Sequence, residues 1–110
     1  GFRNKPTKPE RILDSILNHY FPGQWKYTGD GVVRIGKRYP DFMNCNGCKA
    51  VIEVFGDYWH GRKDKTWAET ELGSIWVYSA LGFKCLVIWE HELKDEQLVV
   101  AKIRQFTRVL

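Results

Sequence analysis

Asp41 follows Pro40 at the head of an apolar run, Glu53 sits inside Val51-Ile52-Glu53-Val54-Phe55, and His60 closes Gly56-Asp57-Tyr58-Trp59-His60. Two carboxylates and an imidazole on adjacent extended segments can hold a divalent cation and move a proton, the two needs of metal-assisted phosphodiester hydrolysis. Between the segments lies Cys45-Asn46-Gly47-Cys48, and Asn-Gly flanked by apolar runs predicts a two-residue type I′ hairpin turn. Counting outward from that turn pairs Cys45 with Cys48, Phe42 with Val51 and Asp41 with Ile52. On this register Asp41 and Glu53 point to opposite faces. Glu53 is therefore expected to support the site from behind rather than to share a metal with Asp41.

The elements that must position these residues follow from periodicity. Thr7-Lys8-Pro9-Glu10 predicts a capped helix start, with Thr7 as N-cap and Glu10 at N3. Ile12, Leu13, Ile16, Leu17 and Tyr20 then form one apolar stripe until Pro22-Gly23 ends it. Trp25 to Tyr27 and Val32 to Ile35 are short extended candidates. The hairpin follows, from Tyr39 to Asn44 and from Lys49 to Phe55. A second helix is expected to carry Leu72, Ile75, Trp76, Ser79 and Ala80 on one face and to stop at Gly82. The run Phe83 to Trp89 predicts a strand buried on both faces. A last helix, Asp95 to Arg108, buries Val99, Ile103 and Phe106. The order helix, three-strand meander, helix, strand, helix is an α/β arrangement around one mixed sheet.

A chain of 110 residues fits one domain. Gly1 in place of an initiator Met raises the expectation of an excised piece, with flanking domains, a recognition domain among them, outside it. The longest charge-free stretch, Leu72 to Phe83, is too short to span a bilayer, and no signal segment precedes it. The net charge of +4 is mild, but Arg34, Lys37 and Arg38 bunch on one side of the acidic segment and Arg62, Lys63 and Lys65 on the other. A basic rim around an acidic centre suits a polyanion held near bound cations. Three cysteines, an odd number, argue for a reducing compartment. Cys45 and Cys48 could form half of a zinc knuckle, but turn chemistry accounts for them and no structural zinc is expected.

The order and motifs resemble nucleases of the PD-(D/E)xK restriction-endonuclease-like fold. Pro40-Asp41 and Glu53-Val54-Phe55 match the two halves of that motif, with Phe55 standing where the family has Lys. Gly56-Asp57-Tyr58-Trp59-His60-Gly61 and Leu86-Val87-Ile88-Trp89-Glu90 resemble segments of very short patch repair endonucleases. The likeness spans roughly residues 6 to 95. Phage intron homing endonucleases share this core and a pattern written EDxHD. Carried over, that pattern implies Glu10 on the first helix, Asp41, Val54 as the variable position, His60, and Glu71 as the final acid, with Glu69 as its rival.

The resemblance implies a domain that cleaves double-stranded DNA with Mg²⁺ (or Mn²⁺). Asp41 would be the Mg²⁺ ligand, His60 would activate or protonate, and Glu10 and Glu71 would orient water or metal. Tyr58 and Trp59 would meet DNA, with Arg34, Lys37, Arg38, Arg62, Lys63 and Lys65 on its backbone. Asp57 replaces a zinc-binding Cys of the repair enzymes, which tilts the expectation toward the homing relatives; a repair nickase and an inactive DNA-binding module are the alternatives. A cytoplasmic location in a bacterium or phage-infected host and a possible homodimer complete the expectation.

Overall fold

The computed structural model describes residues 5–110 and, for His60, the backbone alone. Helix α1 (Lys8–Tyr20) starts as the sequence predicts: Thr7 caps it, Pro9 lies in its first turn, and Glu10 completes a reciprocal capping box. It buries Leu13, Ile16 and Leu17. Three short strands follow, β1 (Trp25–Tyr27), β2 (Phe42–Asn44) and β3 (Ala50–Phe55). A single-turn helix α2 (Asp57–His60), a 3₁₀ turn at Trp67–Glu69 and helix α3 (Glu71–Ala80) then lead to β4 (Lys84–Trp89), and α4 (Glu96–Arg108) ends the fold.

The sheet order is β1-β2-β3-β4. The first two pairings are antiparallel, whereas β3 and β4 run parallel, from Ala50 beside Lys84 to Phe55 beside Trp89. The parallel pair requires a crossover, and α3 supplies it. Val32 to Ile35 is not a strand. It holds only an isolated bridge from Ile35 to Arg38, and Val32 is exposed. Gly31 and Gly36 take positive φ at 84° and 60°, so the segment turns at both ends before a ladder can form.

Each face of the sheet has its own core. On one side α1 and α4 press Leu13, Leu17, Val99 and Ile103 onto Phe42, Ile52 and Ile88. Here α4 meets expectation, with Asp95 as its N-cap and Val99 and Ile103 buried; Phe106, half-buried, stacks on Trp25 at 6.1 Å. On the other side Val51, Phe55, Cys85 and Val87 pack with Ile35 and Tyr78.

Helix α3 is rotated from the predicted face. It buries Gly73, Ser74 and Tyr78, while Leu72 and Trp76 are exposed. The cause lies at its start, where the Thr70 hydroxyl accepts the Gly73 amide at 3.0 Å and the backbone of Trp67 crosses close by. A Cβ at Gly73 would stand 1.8 Å from the Trp67 carbonyl oxygen, so only glycine fits against that turn. Small residues, rather than a leucine stripe, thus make the contact.

Candidate active site

The observed hairpin register differs by one residue from the sequence count. Phe42 pairs with Ile52 and Met43 with Val51; continued by one step, this sets Asp41 opposite Glu53. The predicted two-residue turn is replaced by a wider loop because the buried Asn44 side chain takes two loop amides, Asn46 at 2.9 Å and Cys48 at 3.1 Å. Gly47, at φ 94°, completes it. A slip of one residue turns every side chain of a strand over. Glu53 therefore shares a face with Asp41, and the expectation that it points away is corrected.

The backbone around Asp41 is pinned from both sides. The Thr28 amide donates to the Asp41 carbonyl at 2.8 Å, and the buried Thr28 hydroxyl donates to the Pro40 carbonyl at 2.6 Å. The carboxylate Oδ2 accepts the Val54 amide at 2.8 Å. Glu53 Oε1 accepts the Tyr78 hydroxyl at 2.6 Å. Glu10, also buried, accepts the Thr7 amide at 2.8 Å and its hydroxyl at 3.0 Å, both through Oε1. All three acids line one cavity of about 440 Å³, together with Thr7, Pro9, Val54, Gly56 and Trp59.

Crowding of this kind has an electrostatic signature. Burial, then repulsion from Glu53 and Glu10, pushes the Asp41 carboxyl well above its usual range, against the pull of the Val54 amide. Burial also raises Glu53, opposed by the Tyr78 hydroxyl, its bonding to Asp41 and the positive field of Arg38. The pair holds protons more tightly than free carboxylates do. Among the described residues no three His, Cys, Asp or Glu side chains are already gathered as a metal cage. Asp41 and Glu53 are the carboxylates here that could hold a hard cation, since Mg²⁺ commonly needs only one or two and keeps several waters.

The other predicted residues are distributed around this cavity. His60 ends α2, and its side chain lies outside the described residues. Glu71 opens α3 and accepts the Trp89 indole N–H at 2.6 Å; it is not in the cavity wall, nor is Glu69, which lines a neighbouring cavity of about 310 Å³ with Trp59, Arg62, Asp64 and Lys65. Trp59 belongs to both cavities. Tyr58 and Trp59 are exposed.

Of the six basic residues, Arg34, Lys37, Arg62 and Lys63 are exposed. Arg62 lies over the Trp59 ring at 5.3 Å and is bonded through Nε to Asp64 at 2.9 Å. Lys65 is half-buried, 5.9 Å from the Trp89 ring centre. Arg38 is a correction: it is turned inward rather than set on the rim. It donates to Ser74 Oγ at 3.0 Å and to the Ala68 carbonyl, and lies 5.8 Å from the Tyr78 ring centre. Arg38 ties the bridge after β1 to the start of α3. Cys45 is exposed at the hairpin loop, its thiol donating to the Gly23 carbonyl at 3.4 Å.

Sequence reasoning missed Tyr78 and Thr28. A signal for Tyr78 existed: a glutamate inside an apolar strand needs a donor, and Gly73-Ser74 marks the face of α3 that can come close enough to bring one.

No family model matches the chain. It is 26% identical over 122 aligned positions to the type II nicking enzyme V.NmeAIP of Neisseria meningitidis serogroup A, an alignment covering 96% of this chain and 83% of that protein. Among solved structures it superposes on the catalytic domain of the homing endonuclease I-Bth0305I with a TM-score of 0.67 and 24% identity, covering 92% of this chain and 94% of that one. With the mixed sheet and its crossover helix, this likeness gives the chain the restriction-endonuclease-like fold.

Proposed function

We propose that the chain is a DNA endonuclease domain that hydrolyses phosphodiester bonds with a divalent cation, Mg²⁺ or Mn²⁺, at Asp41 and Glu53. The observation that carries this reading is the hairpin register, which sets those two carboxyls face to face beside Glu10 in one polar cavity. The names of the two similar proteins, a nicking enzyme and a homing endonuclease catalytic domain, support DNA as the substrate. The donor set fits a hard cation. Two raised carboxyls crowded together carry repulsion that a divalent charge relieves, and both offer oxygen ligands, which hard cations prefer. When bound, such an ion lowers the pKa of a coordinated water and stabilises charge on the phosphoryl oxygens.

The protein's own part is positioning. The Val54 amide and Thr28 fix Asp41, and the Tyr78 hydroxyl fixes Glu53. Glu10 is held through Oε1 by its capping box, which fixes its carboxylate beside Asp41 in the cavity wall. Glu53 is the acid we set beside Asp41, while Glu71, which the resemblance makes the final acid, braces the end of β4 through Trp89. His60, one residue beyond the cavity-lining Trp59, is the residue we assign to proton transfer. Tyr58, Trp59, Arg34, Lys37, Arg62 and Lys63 form an exposed aromatic and cationic rim able to grip a sugar-phosphate backbone without reading its bases. Among the described residues no helix is long and apolar enough to cross a membrane.

A supercoiled-plasmid assay tests the reading. With Mg²⁺ or Mn²⁺ the parent is expected to nick or linearise the plasmid, and chelator, Asp41→Ala, Glu53→Gln or His60→Ala is expected to suppress this. Cleavage that survives Asp41→Ala overturns the site. A folded parent that binds DNA without cutting it under either metal overturns the enzymatic reading in favour of a binding module.

A further inference from the structure

Asp57 and His91 take no part in the scheme above, yet they join segments 34 residues apart. The His91 ring Nδ1 lies 2.8 Å from Asp57 Oδ1, and the His91 amide donates to the same oxygen at 3.4 Å. Glu90 Oε1, next to His91, accepts the Asp57 amide at 3.2 Å. These bonds meet at α2, which is one turn long, is closed by the Gly61 amide on the Asp57 carbonyl at 3.0 Å, and has no side-chain cap. A single turn does not hold its own geometry in water. Its direction must come from tertiary bonds, and the turn carries Trp59 into the wall of the carboxylate cavity.

We propose that Asp57 and His91 are positioning residues, a clamp that fixes α2 on the end of β4 and so sets Trp59 in the wall of the carboxylate cavity, with His60 the next residue of the same turn. This rests on the nuclease reading for its consequence but not for its geometry. The pair is about half exposed, with side-chain accessibilities of 58% for His91 and 45% for Asp57. Solvent screens such a pair, and its share of global stability is small. Losing it should leave the fold standing while α2 drifts. Misplacing a group at a reacting centre by about an ångström can cost up to about a hundredfold in rate.

The test compares the parent with Asp57→Ala, His91→Ala, the double variant and His91→Asn, whose side-chain amide can stand where Nδ1 stands. Three readings are taken: single-turnover plasmid cleavage, DNA affinity without metal, and amide hydrogen exchange across residues 56 to 61. Each alanine variant is expected to cut about tenfold more slowly, with faster exchange confined to that segment and DNA affinity within about twofold of the parent. The double variant should be no slower than the singles, and His91→Asn should recover most of the rate. Parent-like cleavage and exchange in both alanine variants, or losses that multiply in the double variant, overturn the clamp. If the parent itself does not cut, the nuclease reading fails separately, and exchange alone decides: faster in 56 to 61 supports the clamp, unchanged overturns it.

Discussion

The two faces of the sheet are built from different materials. Under α1 and α4 the contact is aliphatic and aromatic, with Leu13, Leu17, Phe42, Ile52, Ile88, Val99 and Ile103 sealed from water. Under α3 it is thinner, and polar groups enter it: the Tyr78 hydroxyl reaches Glu53, Arg38 reaches Ser74, and Gly73 lets the backbone of Trp67 approach. The carboxylate pair belongs to this second face. One face supplies the stability, and the other aims the acids, at some cost in stability from two carboxyls crowded out of water.

The largest effect that would break this contrast belongs to Asp41→Asn. Cleavage should fall about a thousandfold, in line with removing a central charge-stabilising group, while the metal-free protein becomes more stable near neutral pH. The sign follows from the raised carboxyls of Asp41 and Glu53. A group with a raised folded pKa stabilises below its unfolded value and loses that contribution as pH rises through its folded value. Wild type should therefore gain on the variant as pH is lowered from about 7.5 toward about 4, where free carboxyls begin to protonate. Thermal melts of both proteins in chelator across that range measure it, and a variant less stable than wild type at neutral pH would show that the pair is not strained.

Ile103→Ala, in the opposite core, should do the reverse. Its fully buried side chain, 0% exposed, makes its loss cost about 2–5 kcal/mol in urea unfolding, with the cleavage rate unchanged at a temperature where the variant is still folded. A matching fall in rate would mean that the two faces are coupled.

Tyr78→Phe probes the seam between them. Removing the hydroxyl leaves Glu53 without the donor that holds its pKa down, so the carboxyl should rise further. Metal affinity should weaken by about ten- to a hundredfold, as when a supporting partner of a ligand is lost, and the onset of cleavage should move to higher pH. Titration of Mn²⁺ against activity at several pH values checks both.

The apolar face was legible in the sequence because leucines, isoleucines and valines at helical spacing have only one way to be buried; the capping box of α1 and the strand β4 followed from equally local rules. The acidic pair was half legible. Asp41 was found from its place after Pro40, but its relation to Glu53 turned on a single residue of register. That residue was decided by the Asn44 side chain, whose two bonds to loop amides outcompete the tighter Asn-Gly turn. Local turn statistics do not contain a bond from a neighbouring strand residue. The face of α3 was lost for a related reason, since the exposed Leu72 and Trp76 carry more hydrophobicity than the Gly73 and Ser74 that pack.

Adjacent positions in α3 put that last difference to its finest test. If the helix lay on a leucine stripe, Leu72→Ala would open a core cavity and cost about 2–5 kcal/mol, and Gly73→Ala would improve an exposed helical position by about 1 kcal/mol. The structure reverses both. Leu72 is 72% exposed, so its truncation should change stability by no more than about 0.5 kcal/mol. A methyl at Gly73 would collide with a backbone oxygen that cannot move without unseating the Trp67–Glu69 turn, and should cost about 1–3 kcal/mol. Because that turn also carries the Ala68 carbonyl that Arg38 holds, Gly73→Ala should weaken cleavage as well as stability, whereas Leu72→Ala should leave both alone. Urea melts and plasmid cleavage on the two variants measure this, and a larger stability loss at Leu72 than at Gly73 would return α3 to the leucine face.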